Sequence, residues 1–182
     1  KCGRRTAGRL RGGIVVSQSV RIGGDKLDKA IIAFIKKEYS LALGESTAEE
    51  IKIALGPAYQ LEDEVRAEIR GRDLVPGLPK TIVTSTQEVR EALAEPVSAI
   101  VDAVKATLDK TPPELAADIM EQGIVLTGGG ALLHGLDVRL QHETGMPIVI
   151  ARNPLHSVAI GSGQCLEEFN VLRQVLANSG ER

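Results

Sequence analysis

The sequence predicts an α/β protein, and three observations carry that prediction. Gly123-Ile124-Val125-Leu126-Thr127-Gly128-Gly129-Gly130-Ala131-Leu132-Leu133 reads as a short buried strand that breaks into glycines and resumes as a helix. Amphipathic helical stretches and short strand-like runs occur together along the chain. Hydrophobic residues make up 43% of 182 residues, enough for a real core, while aromatics are 2% with no Trp, so Val, Ile, Leu and Ala must build it.

The elements follow in order. Lys1 to Arg11 has neither helical nor strand periodicity and reads as a basic, Gly/Arg-rich arm. Gly13 to Ile22 begins as an apolar run and ends in alternation, a strand or hairpin arm. Gly23-Gly24-Asp25 then opens a helix whose Leu27, Ile31, Phe34 and Ile35 fall on one stripe. Thr47-Ala48-Glu49-Glu50 has capping-box spacing before a short helix with Ile51, Ile53, Ala54 and Leu55, stopped by Gly56-Pro57. Residues 63–72 alternate as a half-exposed strand, and a turn-rich link at Val75 to Pro79 leads into a second strand, Lys80 to Thr84, completing a hairpin.

Ser85-Thr86-Gln87-Glu88 repeats the capping-box spacing and starts the longest helical region, with an apolar stripe from Val89 to Leu108. Pro96 interrupts it, which predicts a kink or two abutting helices. Thr111-Pro112-Pro113-Glu114 starts another helix with Pro at its first position. After the triple glycine come a helix to Gly145, a strand Pro147 to Ile150, a loop at Arg152-Asn153-Pro154, a small-residue helix Val158 to Gly163, and a last helix from Cys165 to Leu176.

Charge and chemistry exclude several classes. The net formal charge is −2, but Lys1, Arg4, Arg5, Arg9 and Arg11 stand in the arm without an acid, so the remainder carries −7. Nucleic-acid binding by the body of the protein is not favoured. Cys2 and Cys165 match no metal or disulfide spacing and suit a reducing cytoplasm. No signal peptide and no bilayer-length apolar run is apparent. His134, His142 and His156 lack metal spacing and a nucleophilic partner, so they read as solvated surface residues and no catalytic set emerges. The glycine turn is open to two readings: a phosphate-facing backbone turn, or a tight strand-to-helix connection that binds nothing.

From Gly12 to about Phe169 the chain closely resembles the second half of the MreB/Mbl-type bacterial actin homologues, the rod shape-determining family. Gly23-Gly24-Asp25-Lys26-Leu27-Asp28 with Ala30-Ile31-Ile32, Gly44 to Lys52, Arg70 to Lys80, Val89 to Met120 and Leu126 to Leu133 carry the resemblance. It implies the second lobe of an actin-like fold (actin/Hsp70/sugar-kinase ATPase superfamily) with a smaller inserted α+β subdomain. Residues 12–25 plus 85–170 would form the larger subdomain with a short mixed sheet, and 26–84 the smaller one. Residues 1–11 would be a non-matching arm and 171–182 a tail.

The resemblance also implies ATP with Mg²⁺ in a cleft between two lobes. Carried over by motif, Glu49, Glu50, Ile51 and Lys52 would lie beside the adenosine, and Gly128, Gly129, Gly130 and Ala131 would let the nucleotide approach bare backbone. Without the resemblance Glu49 to Lys52 reads only as a capped, solvated helix. The implied function is a cytoplasmic, membrane-associated filament that guides cell-wall synthesis. Its partners would be further copies of itself, the wall-synthesis machinery and membrane-anchored shape proteins, with membrane contact lying mainly in the family's first half. The alternative is a small-substrate kinase of the same superfamily, for which no general base or sugar-binding set is found. Lys1 to Arg11 departs from the family's Asp-Ile-Gly-Gly-Gly-Thr loop, which reads as a shifted frame or a truncated gene. The replaced strand predicts an open sheet edge, and a missing lobe and phosphate loop predict no measurable ATP hydrolysis and only very weak ATP binding.

Overall fold

The structure, a computed structural model, describes residues 4–10, 13–60 and 64–167. Strands β1 (Arg4–Leu10) and β2 (Gly13–Val20) lead into helix α1 (Gly24–Tyr39), strand β3 (Leu41–Ala42) and helix α2 (Glu45–Leu55). Strands β4 (Arg66–Asp73) and β5 (Pro79–Ser85) precede helices α3 (Thr86–Asp109) and α4 (Pro113–Gln122). Strand β6 (Ile124–Leu126), a 3₁₀ turn at Gly129–Leu132, helix α5 (Leu136–Thr144), strand β7 (Ile148–Ile150) and helix α6 (Ser157–Glu167) follow.

One core joins α1, α2, α3, α5 and the β3-β4-β5 sheet. Leu27, Ile31 and Ile35 of α1 pack with Ala48, Ile51 and Leu55 of α2, Leu41, Ile69 and Ile82 of the β3-β4-β5 sheet, the α3 stripe and Leu136 and Leu140 of α5. Ser85 caps α3 as its spacing predicts: the Glu88 N–H donates to Ser85 Oγ at 3.4 Å and the Ser85 N–H to Glu88 Oε2 at 2.9 Å. Glu88 also accepts from Thr84 Oγ1 at 3.0 Å and from the Tyr39 hydroxyl, so one carboxylate joins the end of α1 to the β5–α3 junction. Burial alone would raise its pKa, but the donors Tyr39, Ser85 and Thr84 and the charge of Arg66 hold it below the ordinary value. The same hydrogen bond to Glu88, with desolvation, pushes Tyr39 up to about 12.

The β4–β5 hairpin is tied at its tip by Asp73, whose Oδ1 accepts from the Val75 N–H at 2.9 Å while Oδ2 meets Lys80 Nζ at 3.0 Å. The Val75 amide and then Lys80 lower the Asp73 pKa.

Several expectations are corrected. Arg4–Leu10, which lacks strand periodicity, is a strand paired antiparallel with β2 from Arg4↔Val20 to Leu10↔Gly13, with a register shift at Gly8/Arg9. The edge of β2 expected to stand open is therefore paired, because a ladder is made by backbone groups that every non-proline residue carries. The short mixed sheet expected within 12–25 plus 85–170 is instead, among the described residues, two separate pairs, antiparallel β1-β2 and parallel β6-β7. The β6 strand is not buried: Ile124 and Leu126 face the core and are half-buried, whereas Val125, on the opposite face, is 63% exposed.

Helix α2 starts at Glu45 behind an extended Gly44, so Thr47 lies inside it and caps nothing. α3 runs unbroken past buried Pro96. The lost bond and ring clash cost about 3 kcal/mol, and Val89, Leu93, Val97, Val101 and Val104, at about 1.5 kcal/mol or more each, outweigh that on one stripe. The chain does not resume as an α-helix at Ala131 but makes the 3₁₀ turn first, with α5 beginning at Leu136. The two helices expected around Gly163 and Cys165 are one, α6; the stretch to Leu176 and the tail 171–182 lie outside the described residues.

Candidate functional site

The site begins with the glycine turn. Gly128 has φ +84°, a region closed to most side chains, so the turn needs glycine there although a Cβ would meet nothing within 4 Å. The loop after β7 holds the turn from one side: Pro154 O accepts from the Gly128 N–H at 2.8 Å and from Thr127 Oγ1 at 3.2 Å. The first bond inside the turn is Ala131 N–H to Gly128 O at 3.0 Å. The amides of Gly129 and Gly130 precede it and have no acceptor among the described residues. The result is bare backbone with free donors beside open space.

The second segment is the outer face of α2. Its buried stripe of Ala48, Ile51 and Leu55 turns Glu49 and Glu50 to solvent. Lys52 reaches back to α1, where its Nζ lies 2.7 Å from Asp28 Oδ1, both side chains 13% exposed. α2 then stops at Gly56, whose N–H bonds Lys52 O at 3.1 Å; a Cβ on Gly56 would stand 2.3 Å from that same oxygen.

Two backbone contacts bring the segments together. Pro57, just past α2, forms a parallel bridge with His134, just past the glycine turn, and the Ala58 N–H donates to His134 O at 2.7 Å. Ile51 and Ala131, at 4% and 1% exposure, are core anchors, so any ligand contact from them is through backbone. Glu49, Glu50, Lys52 and Gly128 to Gly130 are left to present chemistry. Sequence reasoning missed Asp28 as a member of this set and Pro154 as the brace, because both meet their partners across unrelated elements and no spacing signals them.

Elsewhere the histidines behave as expected: His134, His142 and His156 are exposed, with His142 tilted against Tyr59 at 5.9 Å between ring centres. Among the described residues no group of three or more His, Cys, Asp or Glu is placed to hold a metal ion, and no helix is long and apolar enough to cross a membrane.

The chain is 49% identical over 161 residues to the cell shape-determining protein Mbl of Bacillus cereus, covering 88% of this chain and 48% of that protein. It is 50% identical over 159 residues to the cell shape-determining protein MreB of Escherichia coli K12, covering 87% and 46%. It thus spans about half the length of these relatives. A crystal structure of MreB5 of Spiroplasma citri bound to ADP superposes with a TM-score of 0.83 at 39% identity, over 87% of this chain and 48% of that one. The MamK double helical filament matches with a TM-score of 0.72 at 19% identity over 84% and 46%, a likeness of fold alone. The fold is actin-like. The family model described as MreB/Mbl protein matches residues 10–174, and the chain belongs to that family.

Proposed function

We propose that this chain is the second lobe of a cell shape-determining, actin-like cytoskeletal protein whose ATP-dependent, membrane-associated filaments guide cell-wall synthesis. In this reading Glu49 to Lys52 and Gly128 to Ala131 are its share of the nucleotide cleft. The observation that carries the reading is the Pro57–His134 bridge, which joins the ends of the two carried-over segments. The names of the Bacillus and Escherichia relatives support the cellular role, and the ADP in the Spiroplasma citri structure supports the ligand class. Those names point to cell shape rather than to phosphorylation of a small substrate, so the kinase alternative is set aside. The filament described for MamK supports self-association as the mode of assembly.

The chemistry of each wall fits the ligand. Bare amides at Gly129 and Gly130 suit an anion, and the exposed carboxylates of Glu49 and Glu50 suit the hydroxyls of a ribose. Mg²⁺ would enter with the phosphates.

Photolabelling with an azido-adenine analogue of ATP, followed by peptide mapping, tests the assignment at weak affinity. Label competed by ATP is expected on peptides spanning 45–56 and 127–135. Label elsewhere, or label that ATP does not displace, would overturn it.

A further inference from the structure

Asp28 lies on α1, outside both carried-over segments, yet it controls the one cation among them. Its Oδ1 is closed to solvent, lies 2.7 Å from Lys52 Nζ in an ion pair, and receives no hydrogen bond among the described residues. Lys52 Nζ also lies 3.4 Å from where a Cβ on Gly24 would stand, so the ammonium is lodged against the start of α1. If Lys52 swung toward a phosphate it would strand a buried carboxylate, which costs far more than one exposed ion pair returns. Glu49 and Glu50, exposed on the same helix, form no ion pair among the described residues. With Lys52 neutralised by Asp28, this wall carries a net negative charge.

We infer that Asp28 is a positioning residue that fixes Lys52 and makes the α2 wall select the neutral, hydroxyl-bearing nucleoside end of the ligand over a bare polyphosphate. The inference rests on Lys52 belonging to the nucleotide site. A fixed ammonium presents its N–H donors in one place, and the acidic wall turns a polyanion away. Removing the Asp28 charge releases Lys52 as an unneutralised cation, so the two ligand classes must respond in opposite directions. A residue that merely supported the fold would weaken both alike.

The test uses the ¹⁵N-labelled full chain with ADP and inorganic tripolyphosphate as separate probes, followed at the amides of Glu49 to Lys52 and Gly128 to Ala131. Asp28→Asn is expected to weaken ADP about tenfold, or about 1.4 kcal/mol, and to tighten tripolyphosphate. Asp28→Glu is expected to restore ADP binding. If Asp28→Asn loses its dispersed spectrum, the double variant Asp28→Asn with Lys52→Met leaves no charge unpaired; it is expected to weaken ADP as much and to gain nothing for tripolyphosphate. Equal weakening of both probes, no change in either, or wild-type ADP affinity in the double variant would overturn the role of Asp28. If ADP shifts none of those amides in the unsubstituted chain, the site assignment itself falls, and this inference with it.

Discussion

Glu88→Ala should cost about 3 kcal/mol of stability. The substitution removes three acceptor contacts of one carboxylate, to the Tyr39 hydroxyl, the Ser85 N–H and Thr84 Oγ1, and breaks the capping box of α3. Hydrogen bonds to charged groups contribute about 1.5–3 kcal/mol each when buried, and the partial exposure of Glu88 brings each nearer to about 1 kcal/mol. For a chain of this size that is a fall in the thermal midpoint of about 6–12 °C, readable by circular dichroism. Tyr39→Phe, which leaves the Ser85 and Thr84 donors in place, should cost about 1 kcal/mol.

The sign with pH is fixed by the two shifts. Glu88 is depressed in the fold, so its contribution is complete above its ordinary value of 4.5 and is lost as pH falls through the lower folded value. The gap between wild type and Glu88→Gln should therefore close in acid. Tyr39 is raised from 10.0 to about 12, so its contribution is complete below pH 10.0 and disappears as pH rises toward 12. A midpoint change under about 3 °C for Glu88→Ala, or a gap to Glu88→Gln that does not close in acid, would refute the claim that this carboxylate ties α1 to α3.

Other expectations follow from single contacts. Leu93→Ala, at a fully buried α3 position, should cost about 2–5 kcal/mol in urea unfolding with little change in the denaturant slope. Gly56→Ala would put a methyl 2.3 Å from Lys52 O, so it should destabilise the chain and shift the amide spectrum at the end of α2 and at His134 together. Lys105 donates to Glu143 at 2.7 Å, with Arg139 at 3.0 Å, and lowers the Glu143 pKa; Lys105→Met should return that pKa toward the ordinary value in a carboxyl-carbon titration.

Periodic features were legible in the sequence, and features set by a partner element were not. The stripe of Leu27, Ile31 and Ile35, the Ser85–Glu88 cap and Pro113 at the first turn of α4 are local, and each stands where the sequence puts it. Pro96 looked like a break because its cost is local while the compensating core is not. Thr47 had the right spacing for a cap, but the extended Gly44 begins the helix earlier and leaves its hydroxyl out of that role. β1 was invisible because pairing with β2 runs through backbone groups and needs no apolar alternation. At the site, the glycines signalled a turn by themselves, whereas Glu49 to Lys52 acquired meaning only from resemblance. The Asp28–Lys52 pair and the Pro154 brace lay beyond either, since each joins residues far apart in sequence.

The central claim is that the α2 face and the glycine turn are two sides of one nucleotide site. A crystal structure of the chain grown with excess ADP tests it most directly. The ribose is expected beside Glu49 to Lys52 and the nucleotide against the backbone of Gly128 to Ala131, with Lys52 still paired to Asp28. ADP bound on another face, or a Gly128 turn that changes conformation to exclude it, would show that the two segments do not form one nucleotide site.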